Sequence, residues 1–211
     1  MLKTKFPKLT ERISTKIGKT FSKMPLPPNA WTLLALIPAI LGFLTLVFKQ
    51  MFSGFILFLI AGFFDAVDGG VARVTKSTTK LGAYLDGIID RIIEGFLLTG
   101  LILFGLPDFV VFGYSTPAYL WIALLLFVGT ALVSYARAYA SHKEVITNKK
   151  ILKKIPGVLE RTERLWLIGI GMLLFHIQPI YLTYVIILTL ILSVVTFLQR
   201  VFFVAKIGAR K

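Results

Sequence analysis

Long apolar stretches separated by short polar breaks fill the chain from residue 31 onward. A helix that crosses a bilayer needs roughly 20 predominantly apolar residues. Six segments approach that length: 31–48, 52–74, 82–105, 118–140, 164–178 and 180–205. The breaks carry turn or charge signals: "KQ" at 49–50, "KSTTK" at 76–80, "LPDFVVFGYSTP" at 106–117 and "IQP" at 177–179. The pattern predicts an all-α integral membrane protein with six transmembrane helices. Ahead of them, Phe6, Leu9, Ile13, Ile17 and Phe21 recur at helical spacing among Lys8, Arg12, Lys16, Lys19 and Lys23. Such a stripe predicts an amphipathic helix lying in the membrane interface as a basic anchor. "PLPP" at 25–28 ends it, because proline cannot continue the hydrogen-bond ladder. The chain divides into a juxtamembrane segment, 1–28, and a six-span domain, 29–211.

Composition supports the membrane class: 56% of the 211 residues are hydrophobic and only 16% are charged. The net charge of +14 borders the spans and builds no soluble basic domain, so a nucleic-acid partner is not expected. Anionic lipid or an anionic substrate is the better match. Seven Lys and Arg precede the first span, three lie between the second and third, seven run from Lys143 to Arg164, and three follow the sixth. The opposite loops hold Lys49 alone. The positive-inside rule then makes both termini cytoplasmic in a multi-pass cell-membrane protein. With no cysteine, disulfides and thiolate metal sites are excluded. Few Asn and Gln beside many Lys suggest heat adaptation. The first residues lack a continuous apolar core and are not expected to form a cleavable signal.

Against this background Asp65, Asp68, Asp86, Asp90 and Glu94 are out of place. Each carboxylate in a span costs roughly 3 kcal/mol on insertion scales. Asp65 lies ~20 Å down the second span, and Asp86 and Asp90 lie ~6 and ~12 Å into the third, so the pairs share one depth. Spacings of three and four residues put each pair on one helix face, and the short connection predicts antiparallel neighbours. Four converging carboxylates call for a divalent cation, and oxygen-only donors suit magnesium, manganese or calcium. Two ions shared by four carboxylates are an arrangement used for displacement at phosphorus. Gly69, Gly70 and Gly82 either let a bulky ligand approach the backbone or serve close helix packing. Arg91 and Glu94 read as structural ion-pair or hydrogen-bonding residues, and His142 and His176 are not needed for chemistry.

Asp65-x2-Asp68-Gly69-x2-Ala72-Arg73-x8-Gly82-x3-Asp86-x3-Asp90 resembles the signature of the CDP-alcohol phosphotransferase family. The resemblance extends to six spans, cytoplasmic termini and an amphipathic N-terminal helix, and it implies a homodimer. It implies two Mg2+ or Mn2+ ions held by Asp65, Asp68 and Asp86, with Asp90 joining the second ion and acting as the base. "PNAWT" resembles the opening of the family's first span, which makes Asn29 and Thr32 nucleotide contacts or, on another reading, helix caps. Gly69, Arg73 and Thr79 match further positions on the CDP-lipid side.

Beyond the motif, Arg137 in "SYARAYA" and Arg200 in "TFLQRVFFVAK" sit at the depth of the aspartates, and Arg161 and Arg164 stand at the mouth of the fifth span. Snorkelling could place one such arginine; a basic pocket for a phosphate monoester accounts for all four together. The set resembles the family branch that transfers a lipid phosphate from CDP-archaeol or CDP-diacylglycerol to inositol 1-phosphate, releasing CMP. Glycerol 3-phosphate, the acceptor of phosphatidylglycerol-phosphate synthases, is the alternative within the family. An ion transporter or an aspartate-rich prenyltransferase is the alternative from another class. A transporter has no need of Gly69, Arg73 and Gly82 at these spacings, and a prenyltransferase keeps its two aspartate motifs far apart.

Overall fold

The computed structural model describes residues 7–24, 26–111, 113–148, 151–152 and 154–209. Phe6 of the amphipathic stripe, Pro25, and the basic positions Lys3, Lys5, Lys149, Lys150, Lys153, Arg210 and Lys211 lie outside the described residues. The chain forms two compact units, one running to Phe104 and the other beginning at Gly105.

The first unit holds five helices: α1 (Pro7–Phe21), α2 (Pro28–Leu34), α3 (Leu36–Val47), α4 (Met51–Val74) and α5 (Lys80–Phe104). In α1, Ile17 and Phe21 pack on a cluster of Trp31, Val67 and Val71. Phe21 meets Trp31 edge to face at 5.5 Å. The last turns of α1 thus direct these apolar side chains at protein, not at lipid as the stripe alone suggests. α2 starts earlier than its apolar run, at Pro28, because a proline at the first helical position loses no hydrogen bond.

Helices α2 and α3 lie against both α4 and α5, which touch each other only sparingly. The short 75–79 connection predicts α4 and α5 as direct neighbours, and side-chain volume overrides that expectation. Leu46 is fully buried, and a Cβ on Gly54 of α4 or on Gly100 of α5 would stand 2.8 Å from its methyl carbons. Small residues let helix backbones close in, and Ala35, Ala39, Ala61, Ile89 and Ile93 continue the same seam.

The second unit opens with a departure from an all-helical chain, a two-stranded hairpin of β1 (Phe109–Val111) and β2 (Tyr114–Thr116). Val110 faces Ser115 in its antiparallel register. The turn needs Gly113 at φ 83°, where other residues are strained. α6 (Ala118–Leu125), a π-helical stretch (Leu126–Leu132) and α7 (Val133–His142) follow, then α8 (Arg161–Leu174) and α9 (Ile180–Gly208). A capping box between Glu160 and Glu163 starts α8.

Among the described residues four stretches are long and apolar enough to cross a membrane: Pro28–Val47, Met51–Val74, Ala118–His142 and Ile180–Gly208. The other two expected spans fall short for separate reasons. α5 carries Lys80, Asp86, Asp90, Arg91 and Glu94. α8 has 14 residues, ~21 Å at 1.5 Å per residue, against a hydrocarbon core of ~30 Å.

Lys49, the lone cation of its side in the sequence pattern, has a structural partner. Its Nζ donates to the Leu103 carbonyl at 2.8 Å and to that of Phe104, and lies 5.5 Å from the Phe104 ring centre. Those carbonyls end α5 and would otherwise lack partners. Lys49→Met should therefore destabilise the protein by about 1–2 kcal/mol. Thermal unfolding in detergent is the measurement, and an unchanged melting temperature would remove the cap from this account.

Candidate functional site

The first unit brings together most of the polar residues singled out in its sequence. Asp65 and Asp68 stand on one face of α4, and Asp86 lies on the second turn of α5. One carboxylate oxygen from each lies within 4.8 Å of the others. Asp68 is buried, and its Oδ2 has no hydrogen-bond partner. A buried carboxylate with an unpartnered oxygen, clustered with two further carboxylates, is costly unless its charge is neutralised, and a cation would do that. The all-oxygen donor set suits a hard divalent ion, so these residues fit a metal. Asp90 is one turn further along α5 and stands outside this three-carboxylate cluster. Its Oδ2 lies 3.8 Å from the Arg91 guanidinium, the ion-pairing role expected of Arg91.

Beside the carboxylates lies a cleft of ≈ 280 Å³. Asp68 and Asp86 line it together with Asn29, Thr32, Gly69, Arg73, Thr79 and Gly82. All five residues expected on the nucleotide side thus face one space. Asn29 and Thr32 do not cap α2, whose N-cap is Pro27 without a side-chain bond. They sit inside the helix and point into the cleft. Thr32 is buried, and its hydroxyl donates to the Pro28 carbonyl at 3.3 Å.

Thr79 starts α5 by accepting the Gly82 N–H on its Oγ1 at 2.9 Å, an N-cap bond. A Cβ on Gly82 would stand 2.9 Å from Asn29 Oδ1 and 3.0 Å from Thr79 Oγ1. Gly82 is therefore what lets the floor and rim of the cleft meet. Gly69 lies beside Arg73: a Cβ there would be in ordinary contact with the guanidinium nitrogens, at 3.5 and 3.7 Å. Gly70 serves packing and not the ligand: a Cβ there would stand 2.8 Å from the Ser14 carbonyl of α1.

Ser77 and Thr78 also line the cleft, and the sequence reading missed them. A run of three hydroxyls before a helix start was the available signal. Ser14 offered none: its Oγ accepts a hydrogen bond from Arg73 across 59 residues of sequence.

In the second unit Arg164 and Arg200 are buried. Arg200 does not reach for the membrane surface; its Nη1 donates to the Val133 carbonyl at 2.7 Å, just after the π-helical stretch. Within that stretch Gly129 packs closely on Leu125, Ser193 and Arg164, whose atoms lie 3.0, 3.3 and 3.4 Å from where a Gly129 Cβ would be. Bulged helical turns of this kind are frequent where a helix serves a site. Arg161 is half-buried in the first turn of α8, and Arg137, one turn beyond Val133 on α7, is exposed.

A family model described as CDP-alcohol phosphatidyltransferase matches residues 26–205. The archaetidylinositol phosphate synthase of Pyrococcus horikoshii is 29% identical over 197 residues, covering 93% of this chain and 92% of its own. A crystal structure of the Mycobacterium tuberculosis phosphatidylinositol phosphate synthase with CDP-DAG bound is similar at a TM-score of 0.74 and 26% identity, over 92% of this chain and 94% of that one. The same mycobacterial protein in complex with manganese and citrate aligns at a TM-score of 0.73 and 26% identity, over 90% of this chain and 88% of that one.

The carboxylate cluster can be tested apart from any catalysis. A charge-assisted contact contributes ~1.5–3 kcal/mol, so Asp68→Asn should weaken Mn2+ binding at least about tenfold. Asp108→Asn, in the loop before β1, should leave it unchanged. Titration of Mn2+ followed by its electron paramagnetic resonance measures both, and equal affinity in the two variants would dissolve the metal site.

Proposed function

The chain belongs to the CDP-alcohol phosphatidyltransferase family, and from that premise we propose that it transfers the lipid phosphate of CDP-archaeol or CDP-diacylglycerol to inositol 1-phosphate, releasing CMP. It is a phosphotransferase of phospholipid synthesis. The observation that carries the reading is the shared cleft: two of the clustered carboxylates and all five nucleotide-side residues line one space. Support for the donor comes from the mycobacterial relative solved with CDP-DAG, and support for an inositol phosphate acceptor from the archaeal relative named for its product.

In this reading Asn29, Thr32, Gly69, Arg73 and Thr79 hold the CDP moiety, with the Arg73 fork on the diphosphate. Asp65, Asp68, Asp86 and Asp90 would hold two ions, magnesium or manganese. Bound there, they supply Lewis-acid polarisation of the diphosphate and neutralise developing charge. Asp90 accepts the proton of the acceptor hydroxyl, whose oxygen forms a bond to the lipid-proximal phosphorus. The bond from that phosphorus to the CMP oxygen breaks, and its electron pair leaves with CMP. The acceptor phosphate is assigned to Arg137, Arg161, Arg164 and Arg200. Six spans, with both termini and the site on the cytoplasmic side of the cell membrane, complete the proposal; the Lys and Arg distribution supports it.

CMP release from each CDP-lipid, assayed with inositol 1-phosphate, glycerol 3-phosphate and free inositol, tests the substrate assignment. Inositol 1-phosphate should be preferred; equal use of free inositol would show that no phosphate is read, and preference for glycerol 3-phosphate would replace the acceptor. A positioned base contributes 10²–10⁴-fold on the order of magnitude, so Asp90→Asn should lose that much kcat while CDP-lipid affinity holds. Near-normal turnover in this variant would reduce Asp90 to a ligand. Arg137→Ala should raise the acceptor KM about tenfold to a hundredfold, the worth of one charge-assisted contact, and leave the donor KM in place. A shift in the donor KM instead would move Arg137 out of the acceptor pocket.

A further inference from the structure

A basic anchor has no reason to engage a residue of the cleft, yet α1 holds one of them, Arg73. Its Gly18 meets Gly70 of α4 backbone to backbone, with a Cβ on Gly70 falling 3.0 Å from the Gly18 nitrogen and 2.8 Å from the Ser14 carbonyl. No side chain of any size fits between the two helices there. One turn away along both helices, the Arg73 guanidinium donates to the Ser14 hydroxyl. Ser14 and Gly18 are four residues apart and Gly70 and Arg73 three, so both contacts belong to a single helix–helix face.

We propose that α1 is a working part of the donor site, with Ser14 the positioning residue of Arg73. The inference rests on the reading of Arg73 as a donor-side residue. Arg73 is an exposed side chain at the cleft wall, and an exposed arginine samples many rotamers before it binds anything. An isolated serine–arginine contact at a surface would restrain it little. This one is restrained because the glycine pair fixes where Ser14 stands. The guanidinium has five N–H donors in a planar fork; Ser14 takes one and sets the plane, leaving donors for the anionic oxygens of a diphosphate. The restraint is in place before the ligand arrives, which cuts the ordering cost of binding. On the same helix Lys16 and Lys19 are exposed and suited to anionic headgroups, as is Lys23 just beyond its end. One helix therefore joins the membrane surface to the residue that grips a lipid-borne diphosphate.

The test uses the full chain in vesicles, with KM for CDP-diacylglycerol and for inositol 1-phosphate measured on Ser14→Ala, Ser14→Thr, Arg73→Ala and the Ser14→Ala/Arg73→Ala double variant. Losing the pre-set rotamer should raise the donor KM of Ser14→Ala about threefold to tenfold, with the acceptor KM unchanged. Ser14→Thr, which keeps the hydroxyl, should restore it. In the Arg73→Ala background Ser14→Ala should add nothing. The proposal is overturned by an unchanged donor KM in Ser14→Ala alongside a raised one in Arg73→Ala, or by effects that multiply in the double variant. An unchanged donor KM in Arg73→Ala itself would instead strike the donor-side reading on which this inference stands.

Discussion

Like charges held close together set the terms for the first unit. Carboxylate oxygens within 4.8 Å of one another repel by roughly 3 kcal/mol per pair at an effective dielectric near 20. No single apolar contact offsets that, since burying a whole leucine gains roughly 1.5–3 kcal/mol. Two things counter that repulsion: helices locked by extensive apolar packing, and a cation that would join the oxygens. The unpartnered Oδ2 of Asp68 is the residue of this tension.

The lock is the placement of α2 and α3 against both motif helices. Leu46 sits over Gly54 on one side and Gly100 on the other, and the alanine-rich seam runs on from there. With the first apolar segment in that position, α4 and α5 keep sparing contact, and the space left beside their carboxylates becomes the cleft. Its wall is completed by residues of α2, which explains why Asn29 and Thr32 lie on a helix face and not at a cap. Packing at one end of the helices thus creates the ligand space at the other.

The second unit handles polar groups in another way. Thr189, Ser193 and Thr196 return their hydroxyls to carbonyls of α9 one turn back, while the Leu159 N–H reaches Thr196 Oγ1 at 2.9 Å. The loop before α8 is pinned to α9 one turn ahead of Arg200. Arg164 and Arg200 are then packed against the segment where α6 passes through the π-helical stretch into α7. Buried guanidinium groups in an apolar unit need fixed partners, as the Val133 carbonyl is for Arg200.

The motif itself was legible in the sequence because its spacing is a local property. A helical period of 3.6 residues puts Asp65 with Asp68, and Asp86 with Asp90, on one face whatever surrounds them. Thr79 before Gly82 reads as a helix start for the same reason. The charge asymmetry and the apolar run lengths likewise needed no partner to be read. Two matters were decided only in three dimensions: α2 and α3 lie against both motif helices, and Ser14 reaches Arg73. Each depends on side-chain volumes matched between residues far apart in the chain, such as Leu46 with Gly100 and Gly18 with Gly70. Periodicity says which face of a helix is apolar; it carries no record of which other face will fit it.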